Sequence, residues 1–357
     1  MTLSGLRHRP AVVVDCDPGI DDALALLFLA RLHHRGLLRL EAVVTVAGNT
    51  DVACTRRNAR FVLDRAGLGD VPVIGGAAGP LAPAPSPVDA LAFHGPDALG
   101  GCFAPDTAPG LAPDMTPGVS QPQPAQASPG TGSPPAPGTA EAEAEAGVTR
   151  GPHALVEHLR QAAAAGEAVL LAVGPLTNVA LALDLEPDLH RLTHRVVVMG
   201  GAFRLPGNIT AGAEFNWYCD PDAADRVARS ELPLEIVPLD VTERVTVGPE
   251  SPAALGGDSA ALLAGDLLRT SIDLHRAAGH LGGSQIHDAL AAAILAEPDL
   301  VGFERLSVQV DTTGADRGRA VHRAAGRGRG AQVALEVDAD GARDLILSVI
   351  GGTFPAR

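Results

Sequence analysis

Between Asp15 and Asp22 the chain reads Asp-Cys-Asp-Pro-Gly-Ile-Asp-Asp, four carboxylates within eight residues. The apolar run Val12-Val13-Val14 precedes them and Ala23-Leu24-Ala25-Leu26-Leu27 follows. Neighbouring negative charges repel unless a cation or strong hydrogen-bond donors offset them. The Pro-Gly pair is a turn signal, so the acids belong to a tight connection between a strand and a helix. In an open α/β sheet such a connection lies at the carboxyl edge, where ligands bind.

The donor atoms narrow what the cluster could hold. It is all oxygen, with no histidine or cysteine at ligand spacing, and so suits a hard cation such as calcium or magnesium better than zinc. An EF-hand is excluded, because the sixth position counted from Asp15 is Ile20 rather than Gly and the twelfth is Leu26 rather than Glu. Asp21 and Asp22 alone could simply favour the dipole of a helix start. Asp15 and Asp17 lie before the turn, and that reading leaves them unexplained.

Strand-like and helix-like segments alternate along the chain. Strands are expected at Ala11 to Val14, Glu41 to Val46, Val71 to Ile74, Ala168 to Val173, Arg195 to Met199 and Leu234 to Leu239. Helices are expected at Asp21 to His33, Asp51 to Arg65, His153 to Ala165, Thr177 to Leu185 and Pro221 to Ser230. The C-terminal third adds helices at Ala261 to His275 and Asp288 to Ala296. Strands at Leu306 to Val310, Ala320 to Arg323 and Val333 to Val337 follow, and then a last helix from Gly341. This order predicts an α/β domain with an open, mostly parallel, doubly wound (Rossmann-like) sheet and helices on both faces. A single domain spanning 1–357 is expected, since 46% hydrophobic residues supply a core of that size.

One stretch departs from the alternation. Residues 104–147 are dominated by Pro, Ala, Gly, Ser and Gln and end in an Ala-Glu alternation. So few large apolar side chains cannot offset the entropy of ordering, so a disordered insertion is expected there.

Charge excludes some partners. The net charge is −15 and every basic residue is arginine, without the basic face a nucleic acid polymer requires. The N-terminal apolar run Ala23 to Ala30 is far too short to span a bilayer. Met1 to Pro10 does not read as a secretory signal, and Cys16, Cys54, Cys102 and Cys219 show no CxxC spacing. A cytoplasmic protein with reduced thiols and no membrane association is expected. No Walker A or dinucleotide fingerprint occurs, so no nucleotide cofactor is indicated.

The acidic segment resembles the N-terminal signature of the nucleoside hydrolases, the calcium-dependent N-ribohydrolases that include inosine-uridine preferring enzymes. The similarity continues in order through Ala47-Gly48-Asn49, Phe93-His94-Gly95, Val173-Gly-Pro-Leu-Thr-Asn178 and Val198-Met199-Gly200-Gly201. It ends with Gly207-Asn208, Glu214-Phe215-Asn216, Asp220-Pro221 and His287-Asp288-Ala289-Leu290. Each motif is short, but their order across nearly the whole chain is specific.

The resemblance implies the nucleoside hydrolase fold, a ribonucleoside substrate, a calcium ion and a homodimer or homotetramer. It implies that Asp17, Asp22, Asp288 and the main-chain carbonyl of Val173 hold calcium, with Asp15 behind them orienting its neighbours. Asp17 is then also the base that activates water. Asp21, Asn49, Asn208, Glu214 and Asn216 would hydrogen-bond the ribose, while His94, Met199 and Phe215 line the sugar or base pocket. His287 matches the acid that protonates the departing base in the histidine-bearing branch, a role suited to a side chain that exchanges protons near neutral pH.

Departures from the family pattern concern the base. Tyr218 is the only tyrosine and lies outside the helix before His287-Asp288, where Ser271 to His280 offers His275 or His280 instead. Alanine occupies position 98 where the family often has glycine, and Ala289 replaces a frequent proline. Two other readings stand beside the hydrolase. Asp15-Cys-Asp17 resembles the start of haloacid dehalogenase-like phosphatases, but that leaves Glu214-Phe-Asn216 and His287-Asp288 without a purpose, and the chain has no lysine. The other is a non-catalytic nucleoside or ribose binder using the same residues.

Overall fold

The computed structural model describes residues 4–6, 8–82, 90, 94–102, 139–279, 283–326 and 330–354. Strand β1 (Ala11–Cys16) is buried along its whole length and pairs in parallel with both β2 (Arg39–Thr45) and β4 (Ala168–Ala172). Such a strand needs apolar side chains on both faces, which is why Val12-Val13-Val14 reads as an unbroken run rather than an alternation. Val12, Val14 and Cys16 face one core, and Ala11 and Val13 the other.

Helix α1 (Ile20–His34) follows the acidic turn and contacts α2 (Val52–Arg65) and β2 on its way across the sheet. Its Leu24, Leu26, Leu27, Phe28 and Leu29 are all buried, so the helix is apolar around its circumference. The neighbours that cover it arrive late in the chain: α8 (Ser259–Ala277), α9 (His287–Ala296) and α10 (Ala339–Ile350). On the opposite face, α3 (Thr139–Ala165), α4 (Thr177–Leu185) and α6 (Pro221–Ala228) pack over Val13, Val44 and Leu170.

The main sheet has nine strands. Its order from one edge is β3 (Val73–Gly75), β2, β1, β4, β5 (Arg195–Met199), β6 (Leu234–Val237), β11 (Ala331–Val337), β9 (Val301–Val310) and β10 (Ala320–Ala324). All pairings from β3 to β11 are parallel, and the last two are antiparallel. The chain runs outward from β1 to β2 on one side and from β4 to β5 on the other. The carboxyl ends of β1 and β4 therefore flank a crevice, the place where an open α/β sheet binds ligands.

Most elements match the sequence expectations within a few residues. Helix α3 starts at Thr139 rather than His153, the Ala-Glu alternation at its start having high helix propensity. Residues 104–138 of the low-complexity stretch lie outside the described residues. Two short helices, α5 (Phe215–Cys219) and α7 (Leu239–Thr242), and two short paired strands, β7 (Thr246–Val247) and β8 (Ser284–Gln285), had no sequence signal. All are too short for a period to emerge. Arg317 is buried against the ring of Tyr218. All four cysteines are free, and among the described residues no helix is long and apolar enough to cross a membrane.

Candidate active site

The acidic turn is built by its own side chains. Asp22 accepts from the amides of Asp17 (3.1 Å) and Gly19 (2.9 Å), which folds the loop back onto the start of α1. Asp17 accepts from the Asn49 amide at 2.7 Å, and the Asn49 side-chain amide donates to the Asp17 carbonyl at 3.0 Å. The loops after β1 and β2 are thereby tied together. Glycine is required around Asp17: a methyl group at Gly174 would come within 2.6 Å of its Oδ1, and one at Gly48 would overlap its Oδ2. The motifs Ala47-Gly48-Asn49 and Val173-Gly174-Pro175 thus have a steric reason, which is to let backbone approach this carboxylate.

From the other end of the chain, α9 begins at His287 and brings Asp288 in. Asp21, Asp22 and Asp288 offer oxygens within 4.8 Å of one another. At that separation the carboxylates repel one another unless a proton or a cation is held among them. Burial and the neighbouring Asp21 push Asp22 up to about 8. Burial and the surrounding acids also hold Asp17 and Asp288 well above the usual carboxylate range. Buried oxygens without a basic side chain among them fit a hard divalent cation, whose charge would reverse these shifts. The carbonyl of Val173, expected as a further ligand, accepts from Asn216 Nδ2 at 2.8 Å and keeps a second lone pair.

Asp15 is the exception within the cluster. It faces the opposite side of β1, where Asn178 donates to its Oδ1 at 2.7 Å while its other oxygen is buried without a partner. Burial raises it to about 7. Asn178 also donates to the Thr45 carbonyl and accepts from the Ala77 amide, so it cross-braces the carboxyl ends of β1 and β2.

A cavity of about 350 Å³ opens over this edge. Asp17, Asp21, Asn49, His94, Val173, Met199, Asn208, Glu214, Phe215, Asn216, His287 and Asp288 all line it. Of the residues that the resemblance assigned to the site, only Asp15 and Asp22 are outside this lining. Glu214 caps α5 by accepting from Asn216 (2.8 Å) and Trp217 (3.2 Å), and it also accepts from Gly201 (2.9 Å). Gly201 adopts φ 80°, which favours glycine and explains the Gly200-Gly201 pair. Burial outweighs the three amides and lifts Glu214 to about 7.

Asn208 accepts from the Phe215 amide at 3.0 Å, and His94 Nδ1 accepts from the Ile20 amide at 3.1 Å. Burial lowers the pKa of His94, so its neutral form is favoured. Asp220, part of another matched motif, has an architectural task. It caps α6 and accepts from Thr177 Oγ1 at 2.6 Å.

Several lining residues escaped the sequence reading. Ser271, Glu243 and Gln285 border the cavity, and Thr242 Oγ1 lies 2.8 Å from His287 Nδ1. His275 sits on α8 as its position suggested, while His280 lies outside the described residues. Thr242 and Glu243 follow a buried strand 45 residues before His287 in the case of the Thr242 bond, a separation that no local pattern spans.

Comparison with known proteins agrees with this geometry. Residues 12–344 match the family model described as inosine-uridine preferring nucleoside hydrolase. A pyrimidine-specific ribonucleoside hydrolase RihA of Shewanella woodyi is 33% identical over 309 residues, covering 86% of this chain and 85% of that protein. A probable uridine nucleosidase 1 of Oryza sativa subsp. japonica is 31% identical, over 86% of this chain and 83% of its own. Among solved structures, a purine-preferring ribonucleoside hydrolase from Gardnerella vaginalis superposes with a TM-score of 0.77 at 25% identity, covering 96% of this chain and 98% of that one. The plant nucleoside hydrolase PpNRh1 has the same fold, with a TM-score of 0.77 at 23% identity and 96% and 99% coverage. Matched along nearly its whole length in sequence and in fold, the chain belongs to the inosine-uridine preferring nucleoside hydrolase family.

Proposed function

We propose that this ribonucleoside hydrolase uses calcium, with Asp17 as the base that activates water and His287 as the acid that protonates the departing nucleobase. The observation that carries the reading is the shared cavity: Asp17 and Asp288 border it at the sheet edge, and His287 borders it with Nδ1 bonded to Thr242. Cleaving an N-ribosidic bond needs an activated water, support for an oxocarbenium-like sugar and a proton for the leaving group. The lining of this one cavity offers those groups together.

Asp17, Asp22, Asp288 and the Val173 carbonyl would hold the ion, and Asp21 stands within 4.8 Å of Asp22 and Asp288 to assist. Calcium bound there supplies a Lewis acid and a template for vicinal hydroxyls and water. Asp21, Asn49, Asn208, Glu214 and Asn216 bind the ribose, with Met199 and Phe215 as apolar wall and His94 over the start of α1. Asp17 takes the proton from water. His287, its Nδ1 engaged by Thr242, directs Nε2 to the base and delivers the second proton. Asp15 supports the loop from behind through Asn178.

Membership of the hydrolase family sets aside the phosphatase reading. The protein is further proposed to be cytoplasmic and to assemble as a homodimer or homotetramer, which light scattering would measure directly. The deciding experiment is ribose release from inosine, adenosine, guanosine, uridine, cytidine and 4-nitrophenyl riboside, with calcium and with a chelator. Release that follows calcium is expected. Release from ribosides that ignores chelation would overturn the metal assignment, and silence on all of them would overturn the reaction.

A further inference from the structure

Resting on that reading, we infer that Glu243 and Gln285 form a base-reading pair, which selects ribonucleosides whose base carries an N–H donor beside an acceptor on the edge remote from the sugar. Both side chains line the cavity, and Gln285 Nε2 donates to Glu243 Oε2 at 3.2 Å. Glu243 directly follows Thr242, the partner of His287, and Gln285 precedes His287 by two residues. The pair is therefore tethered on both sides to the side chain that must reach the leaving base. Its backbone is held by the β7–β8 ladder, in which Thr246 opposes Gln285, and by the Ile286 amide on the Val245 carbonyl.

The other carboxylates of the site already have work. Asp17 and Glu214 accept backbone amides, Asp22 does the same from behind the wall, and Asp21 and Asp288 belong to the acidic cluster. Glu243 is the lining carboxylate outside both sets, and its hydrogen bond comes from another flexible side chain. Neighbouring polar groups are less free: the Ser271 hydroxyl is bonded to Ser284 at 2.6 Å, and His275 Nδ1 to the Ser271 carbonyl at 2.9 Å. With Gln285 on Oε2, Glu243 retains acceptor capacity at Oε1, and the second Nε2 hydrogen of Gln285 can donate. One acceptor beside one donor complements uracil at N3–H and a ring carbonyl, and equally hypoxanthine at N1–H and its carbonyl. A base methylated at that nitrogen loses the donor and leaves a carboxylate without its partner.

The test compares kcat/KM for uridine, inosine, N3-methyluridine, N1-methylinosine and 4-nitrophenyl riboside in the full-length calcium-loaded enzyme and its Glu243→Ala and Gln285→Ala variants. The wild type is expected to prefer each parent nucleoside over its methylated form by about tenfold or more, the scale of a hydrogen bond to a charged group. Glu243→Ala should lose about tenfold on the parent nucleosides and bring the ratio close to one. The aryl riboside, which offers no N–H, should fall by less than about threefold. Gln285→Ala should shrink the same ratio in part.

An unchanged parent-to-methyl ratio in Glu243→Ala would overturn the proposal, as would equal losses on nucleosides and the aryl riboside. So would wild-type indifference to methylation. Wild-type silence on every riboside would instead overturn the hydrolytic reading, and this inference with it.

Discussion

Thr242 Oγ1 lies 2.8 Å from His287 Nδ1, and the threonine is fully buried. The bond joins the short helix after β6 to the first residue of α9, fixing which ring nitrogen is left for the cavity. A histidine held in this way acts as a proton donor in one orientation instead of sampling several.

Replacing His287 with alanine should slow nucleosides far more than 4-nitrophenyl riboside, whose leaving group needs little protonation. A loss of about 10²-fold or more on inosine or uridine is expected from removing a general acid. Equal losses on the two substrate types would remove His287 from that role.

Asp17→Asn should lower kcat by at least about 10²-fold, since it removes the proposed base. It should also weaken calcium binding in a direct titration of the metal. An Asp17→Asn enzyme with near-normal turnover would refute the assignment.

Gly174→Ala tests how tightly Asp17 is seated. The added methyl would lie 2.6 Å from Oδ1, far inside van der Waals contact, so the carboxylate must move. Activity should drop by more than about tenfold, because a misplacement of about 1 Å can cost 10²-fold. Wild-type turnover in this variant would show that Asp17 tolerates displacement.

Glu214 links the site to stability. Its carboxyl is raised from 4.5 to about 7 in the folded protein, so the native state binds the proton more tightly than the unfolded chain between those values. Stability from this group is therefore present below 4.5 and lost as pH rises toward 7. Glu214→Gln cannot ionise, so its stability relative to wild type should improve between pH 5 and pH 8 by roughly 2 kcal/mol, each pKa unit being worth about 1.4 kcal/mol. Urea midpoints of both proteins at the two pH values, in chelator, measure this. A constant difference between the proteins would count against the raised value.

The proposed ribose recognition by Asp21, Asn49, Asn208, Glu214 and Asn216 predicts strong preference for ribonucleosides. Removing the 2′-hydroxyl leaves buried polar groups unpaired, and a loss of at least about 10²-fold in kcat/KM is expected for 2′-deoxyuridine against uridine. Comparable turnover of the two would contradict the assignment.

Much of this site is legible in the chain because its motifs are local. Asp17-Pro-Gly, Gly48-Asn49 and Val173-Gly174 each close a parallel strand, and the alternation of strands and helices puts those ends on one edge. His287-Asp288 is legible for the same reason, as two residues opening an apolar helix. Asp15 illustrates the limit. Its place in the acidic run groups it with Asp17, but β1 ends at Cys16, so the turn redirects Asp17 while Asp15 keeps the face of Ala11 and Val13, toward Asn178.

Sequence alone therefore determined the fold class, the sheet edge and the acidic and amide side chains gathered there. These follow from hydrophobic periodicity and turn chemistry, which act over a few residues. Tertiary structure decided which oxygens of the cluster meet, that two glycines press on Asp17, and that Thr242, Glu243 and Gln285 surround His287. Those relations join segments far apart in the chain, and only the packing of α9 against α1 and of the short β7–β8 ladder brings them within hydrogen-bonding reach.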